Sequence, residues 1–416
     1  MDKNITEVWV YAHWLGMSEP KCIGKLSANF GVGRNIFSFN YDDGWIKSQE
    51  QLILDPDLAW YPGSQYPKGK TNFGIILDSM PDEWGRTLLR RREAEKSKKE
   101  GRGSRVLTDI DFLLGVFDEC RMGALRFKTD PNGPFLDMEP GINIPPLTSL
   151  KELQNAVKVI EGEAKNKDIN KWVKMLVAPG ASLGGVRPKA NFYNKDGSLW
   201  IAKFPSRYDK IDKAAWEYLA FRLAGNIGIK MAPSIISIIS GDYNSFLTKR
   251  FDRINKNRIH FASAMTMTGF DEEKMKKQQP SYLDIAEFIR FAGANIEEDL
   301  KQLWTRIVFN ISISNTDDHL KNHGFLLTDK GWILSPAFDV NPSIESMGLA
   351  LNIDDKSNVL DFDLAKEVGV QFRLNNSEMS EIIKTTKKVV RKWRRQASEI
   401  GISSYDQDLM EPAFRY

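Results

Sequence analysis

Residues 315–323 read Asn-Thr-Asp-Asp-His-Leu-Lys-Asn-His, the densest run of polar side chains in the chain. Asp317 and Asn322 stand five positions apart within it. A carboxylate and a carboxamide at that separation suit phosphoryl transfer. The carboxylate orients a hydroxyl nucleophile and accepts its proton, while the amide oxygen holds a metal ion on the phosphates. The same chemistry asks for a second carboxylate on a neighbouring strand, holding metal between phosphates. Asp339 follows Asn322 by 17 residues, in Ser335-Pro336-Ala337-Phe338-Asp339-Val340. Taken singly, these features also fit a solvated turn and a packed Phe-Asp pair. His319 and His323, four apart, raise zinc as an alternative. They lack the His-Glu-x-x-His pattern and follow a helical stretch rather than occupying one. His319 is expected instead to brace the loop by hydrogen bonding.

Further elements must bring phosphates to these residues. Lys203, in Leu199-Trp200-Ile201-Ala202-Lys203-Phe204, is a strand lysine among apolar neighbours, where an anionic partner is favoured; an edge-strand solubility lysine is the plainer account. Glu217, on the next amphipathic helix, is placed to pair with it or to face solvent. Upstream, Gly180-Ala181-Ser182-Leu183-Gly184-Gly185-Val186-Arg187-Pro188-Lys189 is a glycine-containing loop before a strand, of the kind that lets backbone N–H groups approach phosphates. It matches neither common phosphate-loop consensus. Together the order is glycine loop, strand lysine, Asp-x-x-x-x-Asn, strand Asp: the parts of a protein-kinase-like phosphotransferase.

The rest of the chain is organised around these parts. Residues 1–60 suggest short strands at 8–16, 36–39 and 51–55. Residues 80–100 suggest a helix with Pro81 near its first turn and a basic tail. Residues 129–146 hold Pro131, Gly133, Pro134, Pro140, Gly141, Pro145 and Pro146, the best linker in the chain. A helix begins near Ser149, a candidate N-cap, with Leu150, Leu153, Val157 and Ile160 on one face. Asp212 opens another, carrying Trp216, Leu219, Ala220 and Leu223. From about residue 281 the pattern is mostly helical, ending with a helix over 378–396.

Composition is that of a globular protein. The 416 residues carry 58 Lys+Arg against 55 Asp+Glu, a net +3, so nucleic-acid binding needs a local patch rather than the total. Two such patches exist, at 86–105 and 384–395; a solvated helix face or contact with DNA or tRNA phosphates would explain either. Cys22 and Cys120 form no CxxC pair, so a reducing compartment is expected. Residues 1–14 lack a signal-peptide pattern. No apolar run is long enough for a membrane span. The expected location is cytoplasmic.

The segments SLGGVRPKA, WIAKFP, FLTKRFDR, NTDDHLKNHG and LSPAFDVNPS, with MPDEWGRTLLRRR in the front part, resemble the HipA family of bacterial serine/threonine kinases, toxins of type II toxin–antitoxin modules. The resemblance runs over most of the chain. It implies an α+β, two-lobed protein-kinase-like fold with an added β-rich N-terminal subdomain: 1–145 as that subdomain, 146–260 as the N-lobe with the glycine-rich loop, 261–416 as the helical C-lobe. It implies ATP and Mg²⁺ as cofactors, Asp317 as catalytic base, and Asn322 and Asp339 as metal ligands. ATP would meet Lys203, the loop residues Ser182, Gly184 and Gly185, and a hinge at Lys249 and Phe251. Ser182 would be an autophosphorylation site that switches the enzyme off. The family's hallmark substrate is an aminoacyl-tRNA synthetase, whose phosphorylation inhibits translation. Its partner is a helix-turn-helix antitoxin of HipB type, and operator DNA is reached through that complex. A non-catalytic kinase-fold scaffold acting as co-repressor is the alternative. Two departures from eukaryotic kinases, no Gly after Asp339 and Asn315-Thr316 in place of a His-Arg pair before Asp317, suit the HipA pattern.

Overall fold

The computed structural model describes residues 5–30, 35–48, 51–136, 144–162, 172–173, 175–177 and 185–416. The chain divides into two compact units, residues 1–207 with 252–262, and residues 208–251 with 263–416.

The first unit opens on β1 (Ile5–Ala12), β2 (Lys21–Phe30) and β3 (Asn35–Tyr41), followed by helix α1 (Glu83–Lys99) and β4 (Leu125–Lys128). These strands form one antiparallel sheet in the order β3-β2-β1-β4. Alternate residues face the core: Val8, Val10, Ala12, Leu26, Ala28, Phe37, Phe39, Leu125 and Phe127 are all buried. The apolar run at 51–55 is not a strand. Its Asp55 is buried, with Oδ1 accepting from Asp57 N at 2.9 Å and Oδ2 from Ile75 N at 3.0 Å. The carboxylate thus caps the turn at Asp57 and the first turn of the short helix Gly74–Leu77.

Residues 252–262 return to this unit and are tied in by charge. Arg258 Nη2 donates to Asp118 Oδ2 at 3.0 Å, beside Arg126 Nη2 at 2.7 Å. Burial pushes the Asp118 carboxyl up, but Arg258 and Arg126 outweigh it and hold it below its ordinary value. Asp252 Oδ2 accepts from Gly123 N at 2.8 Å.

Helix α2 (Leu150–Glu161) buries Leu150, Leu153, Val157 and Ile160, the predicted face. Ser149 stands at its N-cap but its side chain makes no capping bond; a 3₁₀ turn over Leu147–Ser149 leads in instead. Strands β5 (Lys189–Tyr193) and β6 (Leu199–Lys203) then form an antiparallel hairpin.

The second unit begins with α3 (Lys213–Asn226), capped by Asp212, which accepts from Ala215 N at 3.1 Å. The hairpin β7 (Ser234–Ser237) and β8 (Ser245–Lys249) follows. Next come α4 (Tyr282–Ala292), α5 (Ile296–Ile313), and the hairpin β9 (Gly324–Thr328) and β10 (Gly331–Leu334). Then come α6 (Phe362–Glu367), α7 (Asn376–Val390) and α8 (Trp393–Ile400). The helix expected over 378–396 is thus broken at Arg391-Lys392. There Trp393 turns inward and stacks on Phe414, ring centroids 4.0 Å apart and 5° from parallel. Trp216 of α3 and Phe309 and Ile313 of α5 join the same core. Among the described residues no helix is long and apolar enough to cross a membrane.

Candidate active site

The 315–323 run leaves the C-terminus of α5, which is the reason it can be held rigidly. Ser314 ends the helix in the left-handed region (φ +50°), turning the chain sharply. The next residue, Asn315, is buried; its Nδ2 donates to Asn310 Oδ1 at 3.0 Å, and its Oδ1 accepts from Asn341 N at 3.3 Å. One side chain therefore ties the start of this loop both to α5 and to the segment just past Asp339.

Asp317 and Asp318 are neighbours with opposite environments. Asp318 is 3% exposed. Its Oδ2 accepts from Tyr282 Oη at 2.7 Å and Asn310 Nδ2 at 2.7 Å, and meets His323 Nε2 at 2.8 Å. Burial would raise its pKa, but His323, the Tyr282 hydroxyl and nearby Arg306 hold it below the ordinary carboxylate value. Arg306, itself buried, donates from Nη2 to Ser335 O at 2.6 Å; burial pushes its pKa down to about 10. Ser335 begins the segment leading to Asp339, so one buried cluster fixes both halves of the site.

Asp317 is exposed and free of this cluster. Asn322 is buried, and its Nδ2 donates to the Asp317 carbonyl at 2.9 Å. That bond uses the amide's donor end, so the acceptor Oδ1 is the end offered to a cation. This donor set fits a hard divalent cation, which prefers oxygen ligands. Asp339 lies in the left-handed region at φ +57°, a conformation that Asp tolerates and most side chains resist. Phe338 packs against Phe251 with ring centroids 5.5 Å apart and planes tilted by 35°, Val340 is buried, and Ala337 N donates to Lys230 O at 2.8 Å. Anchored neighbours on both sides impose that kink. Asn322, Asp318, Phe338 and Val340 line one small cavity of about 10 Å³.

His323 is the histidine that braces the loop by side-chain hydrogen bonding, in place of His319. The His319 Nδ1 is buried with no partner among the described residues, and its backbone carries the turn through Asn322 N to His319 O at 2.8 Å. The zinc reading gains no support: no group of three His, Cys, Asp or Glu stands together among the described residues.

The remaining predicted residues divide between the units. Glu217 is buried on α3, and Lys249 and Phe251 also lie in the second unit. The Lys249 N–H is taken by Pro233 O at 2.9 Å, so backbone readout at a hinge would fall to the groups after it. Lys203 belongs to the first unit, at the end of β6. Directly opposite it on β5 is Lys189, 5% exposed, which the sequence marks only as the end of a motif. The register places both lysines on the same face of the hairpin. The spacing of the hairpin was the signal that could have found Lys189.

Ser182 and Gly184 lie outside the described residues. Gly185 is described. Its N–H donates to Asp82 Oδ2 at 2.9 Å, while Trp84 Nε1 donates to Lys189 O at 2.9 Å. The front-part motif MPDEW therefore grips the end of the glycine-rich loop. Gly185 has φ +83°, and a Cβ there would stand 2.7 Å from Lys189 Nζ. Gly197 has φ +76° with nothing within 4 Å. Both Gly→Ala variants are expected to lose about 1–2 kcal/mol to left-handed strain. In denaturant unfolding Gly185→Ala is expected to lose more than Gly197→Ala, because it must also displace the Lys189 ammonium; equal losses would remove that contact from the account.

Comparison with known proteins follows the same outline. The HipA-like C-terminal domain family matches residues 181–393. A putative kinase Y4mE from Sinorhizobium fredii is 26% identical over 222 residues, covering 49% of this chain and 51% of that protein. The serine/threonine-protein kinase toxin HipA of Shewanella oneidensis is 27% identical over 214 residues, covering 43% of this chain and 48% of that protein. The chain thus spans about half the length of these relatives. A HipA structure from Shewanella oneidensis MR-1, solved with HipB and operator DNA, superposes with a TM-score of 0.66 at 18% identity, covering 98% of this chain and 94% of that one. That likeness establishes a kinase-like α+β fold for this chain. With the family match spanning half its length and containing Asp317, Asn322 and Asp339, the chain belongs to the HipA family of kinase-like proteins.

Proposed function

We propose that this chain is an ATP-dependent protein serine/threonine kinase. The observation that carries the reading is the hydrogen bond from Asn322 Nδ2 to the Asp317 carbonyl, on a loop pinned by buried Asp318. It leaves the Asp317 carboxylate exposed and the Asn322 amide oxygen as the acceptor end not used by that bond. Asp317 accepts the proton of a serine or threonine hydroxyl as that oxygen bonds to the γ-phosphorus of ATP and the bond to the β–γ bridging oxygen breaks, releasing ADP. Asn322 and Asp339 would hold Mg²⁺, which when bound would neutralise phosphate charge. Lys203 and Lys189 are assigned to phosphate oxygens, residues from Lys249 to Phe251 to the base, and Glu217 to a supporting role. In this reading 146–260 serves as an N-lobe and 261–416 as a C-lobe, behind the 1–145 subdomain.

In the cell the proposed role is that of a toxin whose HipB-like antitoxin carries it to operator DNA. Its substrate would be an aminoacyl-tRNA synthetase or a similar protein, with inhibited translation as the result, and Ser182 its own modification site. The family match and the named relatives support the toxin, antitoxin and operator parts of this reading; the substrate and the Ser182 modification rest on the resemblance of the motifs alone. The test is incubation of the full chain with γ-labelled ATP, Mg²⁺ and a generic serine-containing protein. Label in acceptor serine or threonine, or at Ser182, is expected. No transfer to any protein, with ATP still bound, would favour the non-catalytic co-repressor.

A further inference from the structure

One face of the second unit carries charge that the proposed chemistry does not use. Lys366 of α6, Lys384, Lys387 and Lys388 of α7, and Arg391 and Lys392 just beyond it line a solvent-open groove of about 620 Å³. Asp363 is the lone carboxylate in its wall. Lys384 pairs weakly with Glu381 at 3.9 Å, on the rim. The other five have no carboxylate within ion-pair distance among the described residues. Elsewhere on this unit surface arginines are matched: Arg373 to Glu297, Arg222 to Glu399 at 3.0 Å, and Arg394 to Asp408 at 2.8 Å.

The uncompensated cations are also held in place. The Lys387 ammonium sits 4.3 Å over the Phe362 ring, and the Arg391 guanidinium 5.6 Å over the Tyr416 ring. Aromatic faces fix a cation without cancelling its charge. Lys384 and Lys388, Lys387 and Arg391, and Lys388 and Lys392 are like-charge pairs four residues apart, which destabilise a bare helix. The helix dipole favours cations in a last turn, which accounts for single lysines but not for their convergence on one concavity. A multivalent anion relieves all of these repulsions together.

We infer that this groove is a binding site for a compact anion carrying two or more linked phosphoryl groups, free or borne on a nucleotide. Its volume lies in the range of small-ligand sites. From residue 384 to residue 391 the helix spans about 10 Å, room for a few linked phosphates and not for a polymer backbone. The lysines supply point charges and Arg391 a planar fork for two oxygens.

Inorganic tripolyphosphate is the probe. Binding to the full chain is measured by calorimetry without Mg²⁺, for wild type, for Lys384→Gln/Lys388→Gln/Arg391→Gln, and for a control with the same charge change, Lys96→Gln/Lys98→Gln/Lys99→Gln. All six positions are on the surface, and unfolding midpoints verify the fold of each variant. The groove variant is expected to bind about tenfold or more weakly, while the control stays near wild type. Weakening by added salt is expected as well. Equal affinity in wild type and the groove variant overturns the inference, as do equal losses in both variants. It is also overturned if wild type ignores tripolyphosphate but binds a short DNA duplex that the groove variant cannot bind, since the patch then serves a polymer backbone.

Discussion

Asp318→Ala is expected to cost about 3–5 kcal/mol of folding stability, the usual penalty for breaking a buried, hydrogen-bonded charge cluster. Four groups depend on this carboxylate. Tyr282 Oη and Asn310 Nδ2 donate to Oδ2, His323 meets it at 2.8 Å, and buried Arg306 is stabilised by its charge. Alanine leaves these groups buried with fewer partners, and leaves a void beside them. A loss of that size is a large fraction of a typical domain's stability. The advantage of wild type over the variant also depends on pH. The folded-state pKa of Asp318 is depressed below its unfolded value of about 3.9, so its contribution is full above that pH. It fades as pH falls through the folded value. Denaturant unfolding near neutrality and in acid checks both statements; a neutral-pH loss under about 1 kcal/mol would mean that the cluster is not what holds the loop.

One residue earlier, Asp317→Ala is expected to do the reverse. Asp317 is exposed, and among the described residues it supports the fold through its backbone carbonyl, which alanine retains for Asn322 Nδ2. Stability should stay within about 0.5 kcal/mol, as for ordinary surface substitutions. Phosphotransfer should fall by roughly 10²–10⁴-fold, the usual contribution of a positioned base. Binding of Mg·ATP should be nearly unchanged, because the groups proposed to hold it remain. A variant that loses both stability and activity would place Asp317 with Asp318 as scaffold.

This pair shows how far the residues alone could be read. Asp317, Asn322 and Asp339 could be singled out as candidates because the types and spacing that phosphoryl transfer asks for stand within one stretch of chain. The family match then covers all three. Helix faces such as Leu150, Leu153, Val157 and Ile160 were legible for the same local reason, since periodicity is written into consecutive residues. The supports were not. Tyr282 and Arg306 reach Asp318 from α4 and α5, and nothing in their own neighbourhoods marks them. His323 and His319 have the same type and stand four positions apart; the 3₁₀ turn Leu320–Asn322 between them decides which one turns inward. Residues 51–55 looked like a strand because apolar content was counted, while Asp55 was bonding to N–H groups up to 20 positions away. Lys189 needed the β5–β6 register to be seen opposite Lys203.

The central proposal is that the 315–339 region supports phosphotransfer from ATP to a hydroxyl, with Asp317 as the base. Its most direct test is quantitative mass spectrometry of phosphopeptides after expression of the wild-type chain and of Asp317→Ala at matched protein levels. The account predicts new serine or threonine phosphosites with wild type that are absent, or reduced at least about a hundredfold, with the variant. Phosphosites of equal occupancy in both samples would contradict it.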